Sequence, residues 1–431
     1  MREALSAMTT RGRAFVAAGI TALACAIVLG QDELVRVGAL LVLLPVVTAF
    51  FVGRSRYRLG LVRSVTPTQV TAGNEARVQL DLTNDGRMPT GLLLLEDQLP
   101  YVLGTRPRFV VDRMSPGRRR NVGYVVRSDV RGKFTIGPLA VRLSDPFGLV
   151  ELNRTFSSTT PLVVVPRVVP LPPIPLSGAW TGSGDNRPRA FATGSAEDVT
   201  VREYRRGDDL RRVHWRSSAR VGELMVRREE QPWQSRATLF LDNRTHCHRG
   251  RGAASSFEHA VSAAASVAVH LVQRGFTVRL VTASGDEQGG SWHERGGAGD
   301  IAPLLESLAV VSQSSRAALD TRWLEDPGHS GLLVAVVGAV GDHDKAAFTR
   351  MRHTAATTMA IALDVDTWLG PPAGPAVRVE APGVAWLRAR GWQTVGATPT
   401  TPLPAAWQEL GLSAGVAGRR AADSARRGGA G

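Results

Sequence analysis

Two long apolar runs open the chain. Residues 14–30 and 37–53 hold no charged side chain, and only residues 31–36 separate them. Each run is slightly short of the roughly 20 residues that span a bilayer comfortably, a shortfall that flanking residues cover by snorkelling. The pattern predicts a transmembrane helical hairpin over residues 1–58. A cleaved secretory leader is the competing reading of the first run, helped by the small residues from Ala22 to Cys25, but the apolar run continues past any such cleavage point. Arg2, Arg11 and Arg13 precede the first run, and Arg54, Arg56, Arg58 and Arg63 follow the second, while Asp32 and Glu33 lie in the link. Basic residues at both outer ends place those ends, and the soluble body that follows, on the cytoplasmic side.

From about residue 62 the hydrophobic period shortens to two. Alternating stretches at 76–82, 91–95, 108–111, 121–126, 134–136, 140–143 and 162–165 are separated by turn signals such as Asn84-Asp85-Gly86, Ser115-Pro116-Gly117 and Arg131-Gly132-Lys133. They predict an all-β immunoglobulin-like sandwich over 62–166. Residues 167–195, rich first in proline and then in Gly, Ser, Asn and Arg, read as a stiff connector followed by a polar loop. Over 196–410 the pattern alternates between strand and helix. Apolar strands are expected at 237–242, 276–281, 332–337 and 358–363, helices at 257–274, 301–311 and 345–352, and short elements at 384–389 and 405–410. Such alternation predicts a mostly parallel sheet with helices on both faces. The Gly, Ala and Arg of residues 411–431 read as a disordered tail.

The formal net charge is +14, which would ordinarily suggest nucleic acid or an anionic membrane surface as partner. Lys133 and Lys345 are the only lysines, so the basicity is arginine spread along the whole chain. No aromatic-basic groove pattern accompanies it, and nucleic acid is not an expected partner. Cys25 and Cys247 lie in different kinds of segment, so no disulfide framework is implied, as suits a reducing cytoplasm.

One stretch departs from ordinary surface composition. Arg202, Tyr204, Gly207, Asp208, Arg211, Val213, His214, Trp215, Ser218, Ala219 and Arg220 follow the order Arg-x-Tyr-x-x-Gly-Asp-x-x-Arg-x-Val-His-Trp-x-x-Ser-Ala-Arg. Gly207-Asp208 has the chemistry of a tight turn, Trp215 and Tyr204 are expected to be buried, and the arginines beside Glu203, Asp208 and Asp209 favour forked ion pairs. The order resembles the signature of the bacterial "domain of unknown function 58" family. Asp145-Pro146-Phe147-Gly148-Leu149 and Pro166-Arg167-Val168 resemble a second landmark of that family. The resemblance implies a membrane-anchored protein with a von Willebrand factor A-like domain and, as partner, a MoxR-type AAA+ ATPase.

It also directs attention to Asp242, which should end the first strand of the α/β region, at the edge where ligands bind in such sheets. The von Willebrand A fold carries there an Asp-x-Ser-x-Ser motif for Mg²⁺. Here the motif reads Asp242-Asn243-Arg244-Thr245-His246, with Arg244 and His246 at the serine positions. An arginine removes a ligand and adds repulsion, so a degenerate site without Mg²⁺ is expected. Asp342 or Asp344 would be the second carboxylate, and Arg244 would serve a rim used for protein contact. If residues 246–248 formed a strand, His246 and His248 could share a side around Cys247, but no second ligand pair exists for zinc or copper. His214 with Asp208 or Asp209 would be the acid-base set of a hydrolase or nuclease, with Arg220 as oxyanion stabiliser. No nucleophile elbow or phosphate loop accompanies them. A non-enzymatic scaffold binding a protein partner is therefore the expected function, with a hydrolase or an electrostatic binder of anionic lipid or nucleic acid as alternatives.

Overall fold

The computed structural model describes residues 8–54, 58–145, 147–176, 201–204, 215–227, 235–285, 287–288, 301–325, 331–370 and 380–413. The expected connector loop after 176 and the tail after 413 lie outside these. Two compact units are present: Met1–Val168 with Arg251–Ala254 and Ala302–Ser312, and Val169–Gly250 with Ser255–Ile301 and Gln313–Gly431.

The first unit opens with α1 (Thr10–Leu29) and α2 (Asp32–Arg54). Thr9 caps α1, its Oγ1 accepting from Gly12 N at 3.2 Å. Gly30 ends the helix at φ 64°, a left-handed turn that glycine adopts without steric cost. Asp32 and Glu33 then occupy the first turn of α2, where negative charge suits the helix dipole. The two helices meet at glycines. A Cβ on Gly19 would lie 2.9 Å from Gly38 O, and one on Gly38 would lie 3.0 Å from Gly19 O, the close backbone approach that small residues allow between membrane helices. Both helices are long and apolar enough to cross a membrane. Their outer flanks are uncovered, with Ile27 and Val28 83% and 84% exposed. This is consistent with a multi-pass membrane location.

Ten strands follow: β1 (Leu59–Thr66), β2 (Gln69–Thr71), β3 (Glu75–Asn84), β4 (Leu92–Asp97), β5 (Arg108–Val111), β6 (Arg119–Arg127), β7 (Gly132–Ile136), β8 (Leu139–Ser144), β9 (Glu151–Phe156) and β10 (Thr160–Val165). They form sheets β1-β3-β6, β5-β4-β8-β9 and β2-β10-β7. All pairings are antiparallel except β2 with β10. Period-two burial is clearest in β3, where Ala76, Val78, Leu80 and Leu82 are fully buried and Glu75, Arg77 and Gln79 face outward. Leu80 and Leu82 share one core with Leu93 and Leu95 of β4 and Val141 and Leu143 of β8. Ala76 and Val78 join a second, with Ile136, Leu162 and Val164. The alternation in the sequence marks seven of these strands and misses β1, β2 and β9. The β2–β10 pair is parallel, unlike its neighbours.

A buried ion pair links the sheets. Arg63 of β1 donates from Nη2 to Asp97 Oδ1 at 2.7 Å and from Nε to Oδ2 at 3.2 Å, while Tyr124 OH donates to the same Oδ2 at 2.6 Å. Burial, and then the Asp97 carboxylate, raise the Tyr124 pKa well above the phenol range. Arg63 Nη1 also donates to Ser158 O at 2.7 Å. A Cβ on Gly137 would fall 2.6 Å from that nitrogen, so glycine is needed beside it.

In the second unit β11 (Val201–Glu203) pairs antiparallel with β12 (Met225–Arg227), and α3 (Trp215–Val221) lies between them in sequence. The α/β region contains β13 (Ser235–Leu241), α4 (Ser256–Gln273), β14 (Phe276–Thr282), β15 (Glu287–Gln288), α5 (Ala302–Val310), β16 (Leu332–Val337), α6 (Lys345–Thr354), β17 (Thr357–Leu363), α7 (Pro382–Ala389), β18 (Gln393–Ala397) and α8 (residues 403–413). Its sheet runs β15-β14-β13-β16-β17-β18, parallel throughout except for β15 at the edge. This α/β region with a parallel sheet is consistent with a Rossmann or von Willebrand A-like fold. Every residue of β16 and β17 is buried, which accounts for their unbroken apolar sequence. The stripe Ala260, Ala264, Val267, Ala268 and Leu271 on α4 is fully buried as expected. Helix α5 groups with the first unit: Arg131 Nη1 donates to Leu308 O, Ala309 O and Val311 O at 3.0, 3.2 and 2.9 Å, covering the carbonyls at its C-terminal end.

Replacing Arg63 with leucine would leave Asp97 buried without its cation. The expected loss is ~3–5 kcal/mol, to be measured by chemical unfolding of the full chain in detergent. Asp97→Asn with Arg63 intact should also destabilise it, whereas a surface pair such as Arg127–Asp129 should be removable with little effect.

Candidate functional site

The signature segment is described in part. Gly207, Asp208, Asp209, Arg211, Val213 and His214 lie outside the described residues, so the acid-base set and the arginine–acid clasp expected there do too. Arg202 lies on β11. Partly buried Tyr204 donates its backbone N–H to Leu224 O at 2.8 Å. Ser218 Oγ accepts from Met225 N at 2.9 Å, tying α3 to the start of β12. Arg220 is exposed in the last turn of α3, where its charge suits the helix dipole.

Trp215 overturns its expectation of burial: it is 70% exposed, and Val221 and Leu224 nearby in sequence are exposed as well. The reason is local. With seven residues and none buried, α3 is too short to present an inward stripe, and its apolar side chains remain at the surface.

At the carboxyl edge of the parallel sheet the chemistry is ionic. Asp242 follows β13, its N–H still bonded to Val336 O of β16 at 3.0 Å. The next turn returns Arg244 to it. Arg244 Nε donates to Asp242 Oδ1 at 2.9 Å and Nη2 to Oδ2 at 2.8 Å, while Nη1 donates to Asp344 Oδ1 at 2.5 Å and Ala317 O at 2.9 Å. Asp344, in the turn between β16 and α6, accepts Gly341 N on its second oxygen at 3.0 Å. Arg244 is 0% exposed, and Asp242 and Asp344 are buried with it. Burial opposes the guanidinium charge, but the hydrogen bonds and charges of Asp242 and Asp344 outweigh it and raise the Arg244 pKa further above its usual value.

The expectation of an arginine at an accessible rim is thus corrected. A buried guanidinium fills the space between the two carboxylates and cannot itself touch a partner. Of the two candidate carboxylates, Asp344 is the one engaged; Asp342 is exposed and pairs with Lys345 at 2.5 Å. These residues do not fit Mg²⁺, which needs free oxygen lone pairs in near-octahedral array. Both oxygens of Asp242 and one of Asp344 already serve Arg244, and the Thr245 hydroxyl donates to Ser314 O at 3.1 Å. Among the described residues no three His, Cys, Asp or Glu side chains are grouped to hold a metal.

Residues 246–248 are likewise not a strand. Thr245–Cys247 is a 3₁₀ turn, which leaves His246 exposed and buries Cys247 and His248, so the two histidines do not share a side. Burial, with the negative charge of Asp242, pushes the Cys247 thiol up to about 12, making it an inert core residue. His248 Nε2 lies 2.7 Å from Asp242 O and Nδ1 lies 3.2 Å from Ser256 Oγ. A carbonyl can only accept, so Nε2 carries the hydrogen, and Nδ1 accepts from the serine hydroxyl. Burial lowers the His248 pKa.

The fold and site are therefore those of an α/β region, consistent with a Rossmann or von Willebrand A-like type, whose edge carboxylates are held by an arginine of the same chain. Residues 200–365 match the family described as Protein of unknown function DUF58, a span that includes the described signature residues and the whole Asp242–Arg244–Asp344 cluster. No curated protein matches the chain. Solved structures similar to it include the CARDB domain of a Pyrococcus furiosus protein, at 15% identity over 26% of this chain and 94% of that one, with a TM-score of 0.20. The sporulation control protein Spo0M of Bacillus subtilis is similar at 10% identity over 25% of this chain and 49% of that one, with a TM-score of 0.16. Likeness at this level carries no argument about fold or function.

Arg244→Ala, which strands two buried carboxylates, should cost ~3–5 kcal/mol. Arg244→Lys should recover only part of it, because an ammonium lacks the fork that reaches three carboxylate oxygens and the Ala317 carbonyl. Chemical unfolding of the full chain would measure both. Titrating Mg²⁺ into the wild-type chain in a calorimeter should give no binding heat above dilution. A third expectation concerns acid. His248, with His259 and His270, has its pKa lowered in the fold, first by burial. The unfolded chain, with histidine near ~6.5, then binds more protons, so this stability is present above that value and is lost as pH falls below it. Unfolding midpoints should drop between about pH 7 and pH 5, and His248→Asn should flatten the slope.

Proposed function

We propose that this chain is a non-enzymatic, membrane-anchored scaffold whose soluble regions lie in the cytoplasm and dock a protein partner. The hairpin anchors it, with Arg11 and Arg13 in the first turn of α1, Arg54 at the end of α2 and Arg58 beyond it favouring cytoplasmic ends. The ten-stranded region acts as an immunoglobulin-like structural module. The α/β region, together with the signature, supplies the docking surface.

The single observation that carries this reading is Trp215. It belongs to a sequence signature that the family match overlaps, yet its ring is exposed beside a short helix that buries nothing. Exposed tryptophan is the side chain most enriched at binding hot spots, and it contributes large rigid contact area at low entropic cost. The buried state of Arg244 moves docking away from the sheet edge and towards this segment. The partner class, a MoxR-type AAA+ ATPase acting in assembly of membrane or envelope complexes, follows from the family resemblance of the signature.

Affinity purification of the tagged full chain from membranes, with and without ATP, should recover an AAA+ ATPase. Trp215→Ala should weaken that recovery by about 2 kcal/mol or more, roughly thirty-fold in affinity, while changing unfolding midpoints little because the side chain is mostly exposed. Recovery of no AAA+ protein above background, or full recovery with Trp215→Ala, would count against the proposal.

A further inference from the structure

The second sequence landmark, Asp145 to Leu149, takes no part in the docking reading, and its geometry points elsewhere. Asp145 is buried and folds the chain back on itself. Its Oδ1 accepts Val150 N at 2.7 Å and its Oδ2 accepts Phe147 N at 3.0 Å. The Asp145 carbonyl accepts Gly148 N at 3.1 Å, and Gly148 stands at φ 66°, where a side chain would be strained. These bonds tie Asp145 to residues 147, 148 and 150, and Phe147 among them is 61% exposed.

The far side of the turn is fastened to the start of the hairpin. Thr9, the cap of α1, donates from N to Leu149 O at 2.9 Å and from Oγ1 to Gly148 O at 2.7 Å, and Met8 bridges to Val150. Gly12 lies so close that a Cβ there would clash with Leu149 O. Leu149 and Val150 are buried with Met8 and with Ala49 near the end of α2, and Val16 and Leu44 pack against them. The turn is therefore seated on the end of the hairpin at which the first helix begins and the second finishes.

We propose that this turn is an interfacial anchor, with Phe147 inserting into the headgroup region of the bilayer that the hairpin crosses. The proposal rests on the reading of α1 and α2 as membrane-spanning. The occupant follows from position. Gly12, which touches the turn, precedes Ala14, the first residue of the uncharged run, by ~3 Å of helix rise, and the headgroup layer is ~5–7 Å deep. Phe147, two residues from Leu149 in the chain, is within reach of that layer, where an aromatic side chain is favoured. Arg11 and Arg13 are exposed on the same turn of α1, where they reach lipid phosphates. Anchoring at both the hairpin and the turn would fix the tilt of the β region against the membrane.

The test uses the full chain reconstituted in vesicles of phosphatidylethanolamine and phosphatidylglycerol. In a Cys25→Ala, Cys247→Ser background, Phe147→Cys is labelled with an environment-sensitive fluorophore and quenched by lipids carrying nitroxide at the headgroup or high on the acyl chain. The expected result is blue-shifted emission and strong quenching at position 147, with water-like, unquenched emission from the same label at Val110→Cys on β5, which is exposed. Adding Asp145→Ala, which removes both carboxylate bonds, should lose that quenching. Water-like emission at 147 from a chain that resists alkaline carbonate extraction would overturn the interfacial anchor and leave the hairpin reading standing. Extraction of the chain by carbonate would overturn both.

Discussion

A guanidinium buried between two carboxylates organises the edge of the α/β sheet. Asp242 stands where β13 ends, and Asp344 where the chain turns from β16 into α6. Two negative groups from adjacent parallel strands would repel one another and lose their hydration together. Arg244 offsets both costs by giving each a charge-assisted hydrogen bond. Its reach to Ala317 O adds a third segment to the same knot. In a metal-dependent site of this fold the neutralising charge arrives and leaves with a cation. Here it is covalently part of the chain, and the edge carries its own neutralising charge. His248, neutral and bonded to the Asp242 carbonyl, extends the same rigid arrangement one layer further.

The β region uses the same device. Arg63 and Asp97 form a forked buried pair with Tyr124 as third member, and Arg131 spends its guanidinium on the carbonyls that end α5. In each place a planar fork with several fixed donors satisfies groups that a lysine ammonium would reach one at a time. This changes the meaning of the composition. A charge of +14 carried almost wholly by arginine looks like an electrostatic binding surface, yet Arg63 and Arg244 are buried fasteners and Arg131 is a partly buried one. Net charge speaks about solubility and encounter, and here a share of it is spent inside the fold.

Much of the architecture was legible because burial imposes period. The hairpin, the α4 stripe and strands β16 and β17 are read directly from apolar spacing, since two-sided burial leaves no polar position to confuse the pattern. The strands that escaped did so for the opposite reason. β1 contains Arg63, whose burial depends on a partner 34 residues away, and β9 is mostly exposed. β18, at the sheet edge, is five residues long with Gly396 inside it. At the site, Asp242 was readable as a strand-end acid, and Asp344 as one of two choices. What sequence could not show was the direction of Arg244: spacing placed it in the motif, but only the backbone turn carries its guanidinium back onto Asp242. Trp215 was misjudged by applying the average behaviour of tryptophan to a helix too short to bury it.

Attachment between hairpin and β region is the remaining constraint. A membrane-anchored module joined by a flexible linker would sample many orientations, and any partner would have to meet the entropy of fixing one of them. The bonds from Thr9 to Gly148 and Leu149, and the apolar cluster of Met8, Ala49, Leu149 and Val150, remove that freedom before any partner arrives. An aspartate-bonded turn and a helix cap meet in one short junction. A protein needed only to stay near a membrane has no use for that, because two apolar helices suffice. Fixed orientation matters when the body must present a surface at a set height and angle from the bilayer, as the scaffold role proposed above would require.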